Sequence, residues 1–241
     1  MHYTSLNNSK IKDLKKLKTK KYRDKTNMFL IEGEHLIEEA NKTSYLKEIL
    51  LLEGEETSFD APISYISKEI MKELSSLDNP YKIMGICQKK NQNNIKGNIL
   101  ILDDIQDPGN LGTIIRSAVA FNIDTIILSP KCTDIYSSKV IRASQGMIFH
   151  INIIATDLVS IIPKLKKEGY TLFGTKVKYS KSLKNVSKPK KFAIIMGNEG
   201  NGVSKKVLDA CDDYIYIDMN KHCESLNVAV ATSIILYEMS R

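Results

Sequence analysis

Residues Ile99–Asn122 read ILILDDIQDPGNLGTIIRSAVAFN, and this stretch decides the fold. ILILDDI is an apolar run closed by acids, the pattern of a strand buried on both faces. Pro108 and Gly109 then suit a turn, and Asn110 suits the N-cap of a helix. In LGTIIRSAVAFN, residues Leu111, Ile114, Ile115, Ala118 and Val119 recur at helical spacing and give the helix one apolar face. A strand running through a tight turn into an amphipathic helix is the repeating piece of an α/β sheet.

The rest of the C-terminal half continues this alternation. TIILSP reads as a strand, SSKVIRASQGMIF as a helix, INIIA as a strand and DLVSIIPKLKKEG as a helix stopped by glycine. TLFGT, FAIIMG and YIYIDM follow as strands, and SLNVAVATSIILYEMS makes a long last helix. Such an order predicts a largely parallel sheet with helices on both faces. Upstream lies a polar seam, KKNQNNIKGN (Lys89–Asn98), too poor in apolar residues to pack. We therefore expect a first domain over residues 1–90, a linker at 91–98 and a second domain over 99–241. Before the seam, a basic amphipathic helix carries Ile11, Leu14 and Leu17, and strands MFLIEG, LKEILLL, ISYIS and KIMGICQ alternate with helices EHLIEEANK and KEIMKELSS. That describes a small α/β domain.

Composition narrows the partners. The 241 residues carry 35 Lys plus Arg against 28 Asp plus Glu, a formal charge of +7. A basic surface gains free energy by releasing counterions from phosphates. Charge alone fits either a polyanionic partner or a generally basic proteome. The lysines crowded between Lys10 and Lys25, with Tyr22 among them, favour an RNA-facing surface over a merely solvated one. The four cysteines (Cys87, Cys132, Cys211, Cys223) lack zinc-ligand spacing, His35, His150 and His222 receive no role, and no further ligands lie near His222 and Cys223, so no metal is expected. No apolar run is long enough to span a bilayer and MHYTSLNNSK lacks a signal-peptide core, so a reducing cytoplasm is the expected home.

Three segments begin where strands end, the edge at which open α/β sheets bind ligands. The first is Asp107–Gly112, leading to Arg116 about one and a half helical turns beyond Asn110. The second, MGNEGNG (Met196–Gly202), has glycines that admit a ligand close to the backbone. Its spacing is GxxGxG, not the GxGxxG of dinucleotide folds, and the chain has no GxxxxGK[ST]. Glu199 inside it would repel a diphosphate and suits a zwitterionic or neutral ligand better. The third, Ile217–Asn227, ends in ESLN at the start of the last helix, where Ser225 and Asn227 read as caps or as site residues.

Taken together, PGNLGTIIRSA, MGNEGNGVS and ESLNVAVA, with SSKVIRASQGMIFHI between the first two, resemble the SpoU family of RNA ribose methyltransferases, of the SPOUT class. The N-terminal half, with SKIKDLKKL and FLIEGEHLIEEA, is similar to the small substrate-binding domain of many members, which has a ribosomal-protein fold of the L30e type. The resemblance implies a deep trefoil knot, which periodicity does not show and the general rarity of knots opposes. It implies transfer of a methyl group from S-adenosylmethionine to a ribose 2′-hydroxyl, with 23S ribosomal RNA favoured over transfer RNA, in a homodimer whose interface carries the active site. A non-catalytic RNA-binding protein that retains the fold would be expected to have lost Arg116 or Asn227, and both are present.

By the same resemblance Gly197, Ile217 and Leu226 contact the cofactor, with Thr175, Met219 and Ser225 in the same pocket. Arg116 is the family's essential arginine, and Asn110, Glu199, Ser225 and Asn227 orient it, the ribose or the cofactor. Lys15, Lys18, Arg23, Lys139 and Arg142 are the expected RNA contacts. The chain departs from the family pattern at Asp218, where proline is usual, at Lys221, near a usual glycine, and at Ser138, where proline is common. The departures at Asp218 and Lys221 bear on cofactor affinity.

Overall fold

The fold comes from a computed structural model and is described for residues 1–90, 94–176 and 179–240, so residues 91–93 of the expected linker lie outside the described residues. The chain divides into two compact units, Met1–Asn91 with Asp134–Phe149, and Gln92–Thr133 with His150–Arg241.

In unit 1 the described elements are β1 (His2–Tyr3), α1 (Ser9–Lys16), α2 (Lys20–Thr26), β2 (Met28–Glu32), α3 (Glu34–Asn41), β3 (Leu46–Leu52), β4 (Ile63–Ile66), α4 (Lys68–Leu74) and β5 (Ile83–Gln88). Asn8 caps α1 by accepting from Lys10 N, and Ile11, Leu14 and Leu17 bury the apolar stripe. The lysine-rich stretch Lys10–Lys25, in which a basic amphipathic helix is expected around Ile11, Leu14 and Leu17, spans two helices, α1 and α2. The N–H groups of Leu17, Lys18 and Thr19 each bond three residues back, tightening the last turn of α1 before Thr19 turns extended. The sheet runs β1-β4-β3-β5-β2, parallel across its first three strands and antiparallel across its last three. Ile11, Leu14, Leu50, Ile66, Ile70, Met84 and Ile86 share its core.

The segment Asp134–Phe149, read from sequence as part of the second domain, belongs to unit 1. Arg23 holds Asp134 through two hydrogen bonds of 2.7 and 3.1 Å, and the Phe29 ring lies 4.7 Å from Tyr136. Phe149 stands 5.4 Å from Tyr45 and 6.3 Å from Phe29, between centroids. The helix expected through SSKVIRASQGMIF is α6 (Ser138–Ala143) and a separate 3-10 turn at Met147–Phe149. Gln145 and Gly146 break it at φ 50° and 77°. A Cβ at Gly146 would sit 2.8 Å from the Cβ of Glu39, so the close approach of α3 requires glycine here.

In unit 2 the described elements are β6 (Ile99–Asp103), α5 (Pro108–Ala120), β7 (Thr125–Leu128), β8 (Asn152–Ala155), α7 (Leu158–Lys167), β9 (Thr171–Thr175), β10 (Lys181–Ser182), β11 (Phe192–Gly197), α8 (Lys205–Leu208), β12 (Asp213–Tyr216) and α9 (Val228–Ser240). The sheet order is β10-β12-β9-β11-β6-β7-β8 and every described pairing is parallel. β6, β7 and β11 are buried throughout, as strands covered on both faces must be. Ile99, Ile101, Ile127, Ile162, Leu165, Leu172 and Ile195 lie in one apolar cluster. Parallel pairing brings the carboxyl ends together at one edge, with Gly197 opposite Asp103 and Thr175 opposite Ile215. Among the described helices none is long and apolar enough to cross a membrane.

Candidate active site

The three sequence segments converge at this edge, each shaped by its own local chemistry. In the first, Asp107 and not Asn110 caps α5. Its carboxylate accepts from Asn110 N at 2.7 Å, so Pro108 falls at the start of the helix, where its missing N–H costs nothing. That frees the Asn110 side chain for other partners.

The second segment is pinned against the first. A Cβ on Gly197 would lie 2.0 Å from both the Gly202 carbonyl carbon and Val203 N, so no larger residue fits the end of β11. Asn198 accepts from Gly200 N at 3.0 Å and Asn201 N at 3.1 Å, while its amide donates to Asp104 O at 2.8 Å. The buried Asp103 carboxylate accepts from Ser204 N at 2.8 Å. Glu199 is thereby held over the first loop, where it accepts from Asp107 N at 3.0 Å, Gln106 N at 3.2 Å and Asn110 Nδ2 at 3.2 Å. Partial desolvation pushes its carboxyl up, but these donors together outweigh it and hold the group below the usual carboxylate range.

The third segment closes the ring. Asn227 donates to Asn110 Oδ1 at 2.9 Å, while its own Oδ1 accepts from Ala229 N at 2.9 Å and Val230 N at 3.3 Å. It therefore caps α9 and joins the site at once. Ser117 and Ser233, 2.7 Å apart, tie α5 to α9 farther along. Ser225 is exposed, and its carbonyl accepts from Cys223 Sγ. Asp218 accepts from Ser182 at 2.5 Å.

Within unit 2 these segments enclose a cavity of about 570 Å³. All six residues expected to hold the cofactor (Thr175, Gly197, Ile217, Met219, Ser225, Leu226) line it, with Asn110, Glu199 and Asn227. Asp218 and Lys221 are not among its lining residues. Its walls combine apolar side chains (Met196, Ile215, Ile235) with the carboxylates Glu199 and Glu224. That mixture fits S-adenosylmethionine, which pairs the flat aromatic face of adenine with a cationic sulfonium and a zwitterionic tail. The volume lies in the ordinary range for small-ligand sites. Sequence reasoning missed Asn198, Lys176, Tyr216 and Glu224 as lining residues, and Asp107 as the cap. Asn198 had a signal, its place directly after the glycine that ends β11. Among the described residues no group of three His, Cys, Asp or Glu is placed to hold a metal ion.

Arg116 is exposed on α5 outside the cavity lining, and among the described residues its guanidinium has no hydrogen-bond or ion-pair partner. The expected RNA contacts divide. Arg23 is only 7% exposed, and its donors are occupied by Asp134 and by Leu17 O, so it is corrected to a structural residue. Lys18 donates to Glu73 O at 2.6 Å and Ser75 O at 2.9 Å, tying α1 to the end of α4. Lys15 pairs with Glu73. Lys139 is exposed, and Arg142 donates to Ser76 Oγ at 2.6 Å.

Comparison with known proteins agrees with this geometry. Residues 97–237 match the SpoU rRNA methylase family and residues 8–85 match an MRM3-like substrate-binding domain. The 23S rRNA (guanosine(2553)-2′-O)-methyltransferase RlmP of Bacillus subtilis is 37% identical over 98% of this chain and 97% of its own. An AdoMet-bound rRNA methyltransferase from Sinorhizobium meliloti superposes with a TM-score of 0.87 at 28% identity, covering 99% of this chain and 97% of that one. The SpoU methyltransferase AviRb of Streptomyces viridochromogenes, 21% identical, shares the fold at a TM-score of 0.87 over 98% of both chains. The chain belongs to the SpoU rRNA methylase family.

Proposed function

We propose that this protein transfers a methyl group from S-adenosylmethionine to a ribose 2′-hydroxyl of 23S ribosomal RNA. The observation that carries the reading is the cavity lined by all six expected cofactor residues and rimmed by the hydrogen-bonded set Asn227, Asn110 and Glu199. The relative RlmP, matched over nearly the whole chain, supports 23S ribosomal RNA as the substrate.

When bound, S-adenosylmethionine supplies a methyl group already activated by its sulfonium. A ribose hydroxyl is a weak nucleophile at neutral pH, so the chain must align and activate that oxygen. Thr175, Gly197, Ile217, Met219, Ser225 and Leu226 would hold the cofactor, with Gly197 letting the backbone approach closely. Guanidinium groups stay charged in proteins, so Arg116 serves not as a base but as a phosphate clamp that polarises the 2′-hydroxyl, and the proton this hydroxyl loses passes to an oxygen of the clamped phosphate and on to water. Asn110, Glu199 and Asn227 fix the loops that orient these groups. Lys139 and Arg142 supply RNA contacts, with the exposed lysines of α1 and α2.

The remaining features of the reading are a homodimer, a C-terminal knot, an L30e-type first domain and work in the cytoplasm. The exposed face of α9, with Val230, Ile234 and Tyr237, supports the dimer. The test is transfer of tritium from labelled S-adenosylmethionine to ribosomal RNA of a strain lacking the gene, followed by nuclease digestion. A labelled 2′-O-methylnucleoside from 23S RNA is expected; label confined to transfer RNA would overturn the substrate, and label on a base would overturn the reaction.

A further inference from the structure

Unit 1 holds a second cavity of about 570 Å³, walled by the Glu32–Leu36 turn, the end of β3, the Pro80–Ile83 loop and α6. Its polar groups are unlike a phosphate site. The carboxylates Glu32, Glu34, Glu55 and Glu56 outnumber the cations Lys82 and Arg142, and Lys82 is paired with Glu55 at 2.8 Å. In a chain of net charge +7, a pocket with this acidic excess stands apart and would repel a phosphate.

The cavity also has a stacking platform. Gly33 sits at φ +97°, and a Cβ built there would be 3.3 Å from Cδ2, Cε2 and Cζ of Tyr81 alike. Equal distances to three adjacent ring atoms place the Gly33 backbone over a face of the ring, not at its edge. Tyr81 as a whole is nevertheless 52% exposed. Glycine thus lets Tyr81 lie flat on the turn, which steadies the ring while leaving it accessible.

Donors and acceptors line the same cavity. The Glu32 carboxylate is occupied: it accepts from Ser75 Oγ at 2.5 Å, Ser76 N at 2.9 Å and Ser76 Oγ at 2.6 Å. Ser76 Oγ in turn accepts from Arg142 Nη1 at 2.6 Å, which fixes the guanidinium on the cavity wall and uses one of its five donors. Glu34 follows Gly33 directly and is exposed. An unpaired RNA base is read by stacking and by its polar edges. Guanine offers two donors, N1–H and N2–H₂, for a carboxylate, and two acceptors, O6 and N7, for an arginine. No other standard base offers both pairs.

We propose, building on the RNA methyltransferase reading, that this cavity takes an unpaired guanine of the RNA substrate. Tyr81 stacks on the base, Glu34 accepts from N1–H and N2–H₂, and Arg142 faces O6 and N7.

The test uses the full chain and fluorescein-labelled oligouridines of one length carrying a single central guanosine, inosine or adenosine. Equal length keeps the sequence-independent phosphate contribution constant. The guanosine strand is expected to bind about tenfold more tightly than the inosine strand, which lacks N2–H₂. Glu34→Gln is expected to erase that preference. Tyr81→Ala is expected to weaken guanosine binding about tenfold and Tyr81→Phe to retain it. Equal affinity for the three strands, or a preference that survives Glu34→Gln, would overturn the proposal. Competition by GMP without any preference among the strands would reassign the cavity to a free nucleotide and overturn the RNA assignment. S-adenosylmethionine binding, measured in parallel, reports on unit 2: its absence from the unaltered chain would count against the methyl-transfer reading and leave the strand comparison to stand or fall alone.

Discussion

The Asn227 amide donates to Asn110 Oδ1 at 2.9 Å, joining the start of α9 to the first turn of α5 across 117 positions of sequence. Asn110 also donates to Glu199 at 3.2 Å, so three distant segments share one hydrogen-bonded set. The set holds the loops that wall the unit 2 cavity, and its members have separable consequences.

Asn227→Ala removes both the cap of α9 and the link to Asn110. Loss of the cap costs about 1 kcal/mol, read as a lower urea midpoint. Methyl transfer is expected to fall more than tenfold, because misplacing a positioned group by about an ångström suffices for such losses. Asn227→Asp retains an oxygen that can accept from Ala229 N and should recover the stability but not the turnover. Equal recovery of both would reduce Asn227 to a cap.

Gly197→Ala places a methyl group 2.0 Å from the backbone of Gly202 and Val203. Neither neighbour is a flexible side chain, so the loop must shift. A stability loss of about 2 kcal/mol is expected from overpacking, with a weaker affinity for S-adenosylmethionine by calorimetry. Unchanged affinity would detach the MGNEGNG loop from the cofactor.

The Glu199 carboxyl is held below its ordinary range by donors that exist only in the folded chain. Its contribution to stability is therefore fully present above the unfolded-state pKa, about 4.3, and fades as pH falls through the lower folded value. Urea denaturation of the unaltered chain and of Glu199→Gln should differ most near neutrality and converge below about pH 4. A difference that grew on acidification would reverse the sign of this account.

Much of this site was readable in the sequence, and the failures have physical causes. Strand LKEILLL (Leu46–Leu52) and strand TLFGT (Thr171–Thr175) lie where their apolar patterns predict them. The glycine at position 197 and the asparagine at 227 announced a close backbone approach and a helix start. The ownership of Asp134–Phe149 was not readable, because helical periodicity gives an apolar face without saying which sheet it covers. What assigns the segment to unit 1 is the Arg23–Asp134 pair and the contact of Phe29 with Tyr136, both long-range. The same ambiguity hid Arg23 among exposed lysines: a burial partner 111 positions away leaves no local trace. The two-residue strands β1 and β10 are too short for any alternation to register. At Asp218 the replacement of the usual proline is matched by the bond from Ser182, a partner that only the fold supplies.

On α9, Val230, Ile234 and Tyr237 are 48, 38 and 46% exposed along one face. Ile234→Asp is expected to leave the fold intact and shift sedimentation velocity at micromolar protein from dimer toward monomer. A monomeric unaltered chain under the same conditions would remove the homodimer.

Arg116 gives the most direct test of the central claim, since it stands on α5 outside the cavity lining. The measurement is S-adenosylmethionine affinity by calorimetry, paired with single-turnover methylation of 23S ribosomal RNA, for Arg116→Ala and the unaltered chain. An affinity within about threefold of the unaltered chain is expected, with a methylation rate reduced about a thousandfold or more, as for loss of a group acting on the transition state. Near-normal methylation by Arg116→Ala would contradict that claim.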